Sequence, residues 1–250
     1  MRITRLGQGI FALSFAVLGA LGIGLHGFAS VWPLLPKAIA WHDTLTTIFA
    51  GMLLASGIAL LIPGTAGTSA LVLAGMLLIR LLLLQVPPIA AHPLVEATWE
   101  DLSEGLAQLA GAWTIYSMTW PAGRTNSTGV RAGQILFALA LPAIGVSHFL
   151  YLGQTAPLIP SWLPFHVPLA YFTGAAHIAA GIGILFCVLP RLAATLEAVM
   201  VSLFTLLVWV PMVIAAPSTL ANWAELCISA AISGSAWAVA ASFGATSRSG

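Results

Sequence analysis

The chain has 250 residues, of which 60% are hydrophobic and 6% charged, with eight Lys and Arg against seven Asp and Glu. A soluble domain carries about 25% charged residues to cover its surface, so a conventional soluble protein is excluded, and the abundance of apolar surface excludes a disordered chain. A net charge of +1 leaves no phosphate-neutralising patch, which excludes nucleic acid as a partner and leaves the lipid bilayer as the solvent this composition fits.

A helix needs about 20 apolar residues to cross the hydrocarbon core. Eight stretches meet that need: 9–29, 45–62, 68–88, 98–119, 132–152, 168–188, 192–213 and 221–243. Turn chemistry separates them, at Pro33 and Pro36, Pro63-Gly64, Pro87-Pro88, Pro121 with Gly123, Pro157 with Pro160 and Pro164, Pro190, and Pro217. A membrane β-barrel would alternate apolar and polar residues, whereas these runs are apolar throughout. The fold class expected is all-α: a polytopic membrane protein of eight transmembrane helices. Arg2 and Arg5 before an apolar run resemble a signal peptide. A similar segment recurs internally, so the first run is expected to be a span.

Positive charge sets the orientation. With the N-terminus inside, the inner segments hold Arg2, Arg5, Arg124, Arg131, Arg191 and Arg248, and the outer loops hold Lys37. Both termini are therefore expected in the cytoplasm. The acids Asp43, Glu96, Glu100, Asp101 and Glu225 fall mostly on the other side, and Trp32, Trp41, Trp99, Trp162 and Trp223 mark an outer aromatic belt.

The second half echoes the first. Gly7-Gln8 resembles Gly133-Gln134, His26 resembles His148, Gly57-Ile58 matches Gly181-Ile182, and Val86-Pro87 matches Val210-Pro211. Trp99 and Asp101 match Trp223 and Glu225, and Ala112-Trp113 matches Ala236-Trp237, with one spacing of 124 residues from Gly57 onward. The expected organisation is two pseudo-symmetric four-helix bundles, 1–122 and 123–250, related by a two-fold axis along the membrane normal.

Three runs in the second half carry a family resemblance: Gly145-Val146-Ser147-His148-Phe149, Pro160-Ser161-Trp162-Leu163-Pro164, and Tyr171-Phe172-Thr173-Gly174-Ala175-Ala176-His177 through Gly181. Together with Arg191-Leu192-Ala193 and Trp209-Val210-Pro211, they make residues 130–243 similar to the DoxX family of small bacterial membrane proteins. The first half resembles the family less, and a usual member has one four-helix unit. The resemblance implies a bacterial inner-membrane protein with an accessory role in membrane redox chemistry. That role would be quinone-coupled, beside an oxidoreductase or a respiratory-complex subunit. It assigns no catalytic residue, and it leaves enzymatic activity open.

Charge inside a span needs a reason. Arg80 lies about 12 Å below the outer end of the third span and Glu104 about 9 Å into the fourth, so their depths match for a pair. Glu96, Glu100 and Glu104 share one helical face with Asp101 beside it. Arg80, Glu100, Asp101 and Glu104 therefore form either a structural tie or a polar pocket open to the outside, for a quinone head group, a proton path or a cation. Their 124-residue counterparts include Phe204 and Ile228, so the cluster belongs to the first half alone.

His26 and His148 sit at one depth and could ligate haem or a metal, or hydrogen-bond a neighbouring carbonyl. His177 lies deeper and could line a cavity with His148 and Tyr171. Glu197 has Arg191 or Arg131 as expected neutralising partners. His42, His92 and His166 match no metal motif. Cys187 and Cys227 fall near opposite faces, too far apart for a disulfide. No nucleotide, hydrolase or thiol-exchange motif occurs. No cofactor is fixed: quinone is compatible, haem is disfavoured, and no metal is expected. Gly51, Gly57, Gly174 and Gly181 read as packing positions. A transporter, favoured by the repeat, and a structural protein without chemistry are the alternatives. Against transport, no span shows a broken helix or a midplane charge.

Overall fold

The computed structural model describes residues 2–25, 28, 32, 35–119 and 125–246, with side chains from Arg5 to Gly244. These residues are all-helical, with no strand among them. Eight long helices follow in order: α1 (Arg2–Gly24), α2 (His42–Leu60), α3 (Ala66–Ala91), α4 (Glu96–Met118), α5 (Ser127–Leu150), α6 (His166–Leu185), α7 (Pro190–Ala215) and α8 (Leu220–Thr246). Seven of them, all but α4, are long and apolar enough to cross a membrane, so the chain is a multi-pass membrane protein. His26, Arg124 and Arg248 lie outside the described residues.

Two helices run through prolines, one of them through a pair expected to end it. In α3, Pro87 and Pro88 were expected to break the chain, yet the helix continues to Ala91 through a π-helical turn at Leu81–Gln85. Proline lacks the N–H that a helix interior needs, and its ring clashes with the carbonyl four residues back. The wider turn, closed by Val86 N–H on the Leu81 carbonyl, places both prolines at the start of a fresh segment, where a missing N–H costs little. α7 does the same at Thr205–Trp209, ahead of Pro211. Both helices stay continuous through their π turns, so neither is a broken helix.

Helix packing forms a closed ring, each helix on its successor and α1 on α8, with α4 against α8 at the centre. Small residues make these contacts close. A Cβ on Gly57 would lie 2.5 Å from the Ala16 amide nitrogen, and one on Gly181 would lie 2.8 Å from the Ala138 carbonyl oxygen. Gly174 is equally tight against Gly145. Gly51 faces open space, so the packing role expected for it is not met. At the centre, Gly111 of α4 abuts Ser235 of α8. Hydroxyls tie α8 to α7, through Ser202–Ser233 and Thr205–Ser229, each at 2.8 Å.

Several features recur 124 residues apart (205 less 81). They include the two π turns, the aromatic residues at positive φ before α2 and α6 (Trp41 and Phe165), and two indole hydrogen bonds to turn carbonyls, Trp99 to Pro93 and Trp223 to Pro217. Trp41, Trp99 and Trp162 are exposed at one end of the bundle, which also carries Lys37. Trp32, expected in that belt, is instead buried beneath Arg80, whose guanidinium carbon sits 5.1 Å from the ring centre. The opposite end carries Arg131.

Candidate functional site

The polar residues of α4 divide between two neighbours. Asp101 turns toward α3, where Arg80 Nη2 lies 3.6 Å from Asp101 Oδ1 and Gln85 Nε2 lies 2.9 Å from the same oxygen. Arg80 was expected to pair with Glu104; its ion pair is with Asp101. A buried guanidinium stacked on Trp32 and tied to Asp101 joins α3 to α4, which is the structural reading of this residue. Glu100 and Glu104, four residues apart on one face, turn the other way into a cleft between α6 and α7.

That cleft has a volume of about 1140 Å³ and is lined mostly by the second half of the chain, with Glu100 and Glu104 contributed by the first. Its rim is apolar and exposed, with Phe172 of α6 and Leu196 and Leu203 of α7. In a bilayer those side chains face lipid, so the opening is lateral. Its floor is polar: Glu100 and Glu104 of α4, His148 of α5, His177 of α6, Glu197 of α7 and Glu225 of α8. No Lys or Arg lines it.

The deepest pair is His177 and Glu197. His177 Nδ1 lies 2.8 Å from Glu197 Oε1, and both side chains are almost fully buried. By helix rise, His177 stands about 16 Å from the Lys37 end of α6 and Glu197 about 10 Å from the Arg131 end of α7, both within the hydrocarbon depth. The other carboxylate oxygen, Glu197 Oε2, has no protein partner. Glu197 was expected to be neutralised by Arg191 or Arg131. Arg131 instead donates to the Ile184 and Leu185 carbonyls at the end of α6, at 3.2 and 2.8 Å. There it satisfies orphan helix-end acceptors.

His148 lies beside His177, ring centres 5.2 Å apart, and stacks on Phe204 at 6.3 Å. Its Nδ1 donates to the Ile144 carbonyl at 2.9 Å. The expected neighbour Tyr171 is not at the cavity; it stacks on Phe149. The pairing of His148 with His26 lies outside the described residues. No group of three or more His, Cys, Asp or Glu among the described residues could hold a metal ion. Cys187 and Cys227 are free thiols, the first exposed and the second buried.

The corresponding space in the first half is closed. The residues 124 before His177 and Glu197 are Leu53 and Leu73, both fully buried. The pocket bounded by Leu18, Phe28, Trp32 and Leu53 holds only about 10 Å³. Sequence reasoning named Glu100, Glu104, His148 and His177, which the cleft brings together, but divided them between a pocket at Arg80 and a separate set of histidines, and missed Glu197 and Glu225 as lining groups. The signal was present: His177 and Glu197 both stand 124 residues after a leucine. No family model, no curated protein and no solved structure matches the chain.

Proposed function

We propose that this is a DoxX-like protein of the bacterial inner membrane that binds an isoprenoid quinone as an accessory subunit of a membrane redox complex. The observation that carries the reading is the cleft: a lipid-facing apolar mouth that suits an isoprenoid tail, ending on histidines and glutamates that suit an oxygenated head group. The partner is an oxidoreductase or respiratory-complex subunit, which supplies or removes the electrons.

The same reading takes the chain as eight spans in two pseudo-symmetric units, 1–122 and 123–250. α4 is the eighth span. It falls short in apolarity because Glu100 and Glu104 face the cleft and Asp101 faces Arg80, while α3, α5 and α8 sheathe it from lipid. The shared 124-residue offset supports the repeat, and so does the contact of Gly111 with Ser235, its own counterpart, as expected where a two-fold axis passes. The first unit has become a closed scaffold and the second keeps the cleft. The Lys37 end is the outer one, and both termini are cytoplasmic.

The test is organic extraction of the protein purified in mild detergent, with the extract resolved by mass spectrometry. Isoprenoid quinone near one per chain is expected, falling sharply in Leu196→Trp, which fills the mouth. Extraction of phospholipid alone, or quinone retained unchanged in the filled variant, would overturn the assignment.

A further inference from the structure

The second half of the chain keeps an acid and lacks the partners that the first half gives it. Asp101 of α4 has Arg80 Nη2 at 3.6 Å and Gln85 Nε2 at 2.9 Å, and the guanidinium lies over the Trp32 ring. The residue 124 positions after Asp101 is Glu225 of α8, but those 124 positions after Arg80 and Gln85 are Phe204 and Trp209. All three line the cleft. The hydroxyl contact Thr205–Ser229 sets the register of α7 against α8. The two helices run antiparallel, so one turn along each brings Trp209 opposite Glu225. Glu225 thus stands where Asp101 stands, with aromatic side chains in place of a cation and an amide. We infer that an organic cation on an apolar body (an amine, an amidinium or a quaternary ammonium reaching the cleft from the bilayer) takes the place that the Arg80 guanidinium holds in the first half, with Glu225 as its counter-ion. The inference stands apart from the quinone reading and goes beyond it, since it gives the cleft a second class of ligand.

Glu225 is not alone. Glu104 lies within electrostatic reach of Glu225 and Glu100, and Glu225 within reach of Glu100 and Asp101. Asp101 has Arg80 and Glu100 has the Ser147 hydroxyl, whereas Glu104 and Glu225 make no hydrogen bond among the described residues. Deeper in the same lining, Glu197 is almost fully buried and leaves Oε2 without a protein partner. The other ionisable groups of the lining are His148 of α5 and His177 of α6, while α1, which also packs on α8, carries charge only at Arg2 and Arg5. With no Lys or Arg in the lining, carboxyl groups gathered in an apolar enclosure hold their protons while the cleft is empty. A bound cation changes that balance. The Glu225 carboxyl gives its proton to water, the carboxylate left behind is neutralised by the cation, and the site is neutral before and after. Phe204 and Trp209 supply aromatic surface for the cation, as Trp32 does for Arg80.

The experiment is calorimetric titration of the full chain in mild detergent, at several pH values around neutrality, with tetraphenylphosphonium and with tetraphenylborate, which has the same shape and the opposite charge. The phosphonium is expected to bind with release of about one proton, counted by repeating the titration in buffers of different ionisation enthalpy, and to gain about tenfold in affinity per pH unit. The sign follows from the exchange, because a rise in pH removes the competing proton. The borate is expected not to bind. Glu225→Gln should weaken phosphonium binding on the order of tenfold. Glu104→Gln with Glu225→Gln should abolish it, and Phe204→Arg, which copies the resident guanidinium of the first half, should exclude the ligand. No phosphonium binding by the unmodified protein, equal binding of the borate, or an affinity independent of pH overturns the inference by itself, whether or not the variants fold. Parent-like binding in a folded double variant or in a folded Phe204→Arg overturns the assignment to this place. Quinone recovered by extraction without cation binding overturns this inference alone, and cation binding without quinone leaves it standing while the quinone reading falls.

Discussion

The pair His177–Glu197 can be removed in two ways with opposite outcomes. His177→Leu leaves a carboxyl group that is almost fully buried, with one oxygen already unpartnered and the other stripped of its 2.8 Å contact. Breaking a buried pair from one side costs about 3–5 kcal/mol, because the remaining group keeps its desolvation penalty without compensation. For a chain of this length that is a fall in melting temperature on the order of 10 °C. His177→Leu with Glu197→Leu removes both groups and installs the residues that the first half already carries at these positions, Leu53 and Leu73, both fully buried there. The double variant is therefore expected to melt at or above the parent temperature, since an apolar replacement of a buried pair is often neutral or stabilising. The assay is thermal unfolding in detergent, followed by tryptophan fluorescence, on the parent, both single variants and the double. The interaction term of the cycle is expected to be strongly favourable. A single variant as stable as the parent would refute the idea that the pair is held desolvated. A double variant as weak as the singles would show that the loss comes from packing instead of electrostatics.

Other outcomes follow from the same contacts. Gly57→Ala and Gly181→Ala each force a methyl against a neighbouring helix backbone at 2.5 and 2.8 Å, so both should lower the melting temperature, by about 1–3 kcal/mol of overpacking, whereas Gly51→Ala, facing open space, should not. An equal effect at all three positions would count against the packing described for α1–α2 and α5–α6. Asp101→Leu should destabilise more than Arg80→Leu, because Arg80 is buried and would lose its ion pair, while Asp101 is partly exposed and can turn to water; melting of the two variants decides the order. A membrane-impermeant maleimide should label Cys187 in inverted vesicles and not in intact cells, with Cys227 unlabelled in both because it is buried. Labelling of Cys187 from outside would reverse the proposed orientation.

Much of the architecture was legible in the chain itself, because lipid makes hydropathy decisive: each expected span coincides with a helix, and Pro190 and Pro217 fall at helix boundaries as their chemistry requires. Pro87-Pro88 misled, because a π turn can absorb what a proline forbids, and nothing local in the run of leucines at 81–84 announces one. The charged residues were legible only as a set. Helical spacing correctly put Glu100 and Glu104 on one face and Asp101 to its side, but spacing within one helix says nothing about which neighbour each face meets. Depth alone paired Arg80 with Glu104, and the azimuth of α4 gave that role to Asp101.

The sequence by itself determined that this chain suits lipid, where its long helices run and which few residues would be expensive there, since each of these depends on composition and period along one chain; it offered eight spans where seven helices are long and apolar enough. Which of those residues meet was decided by the tertiary structure. α4 sits between α3 and the α5–α8 cleft, so one helix serves both a structural knot and a cavity. His148, His177 and Glu197 converge from three helices; the two histidines were expected to share a cavity, while nothing in the sequence brought Glu197 to them. The physical reason is that burial makes polar side chains seek partners, and only the packing of small residues across the ring of helices fixes which partners come within reach.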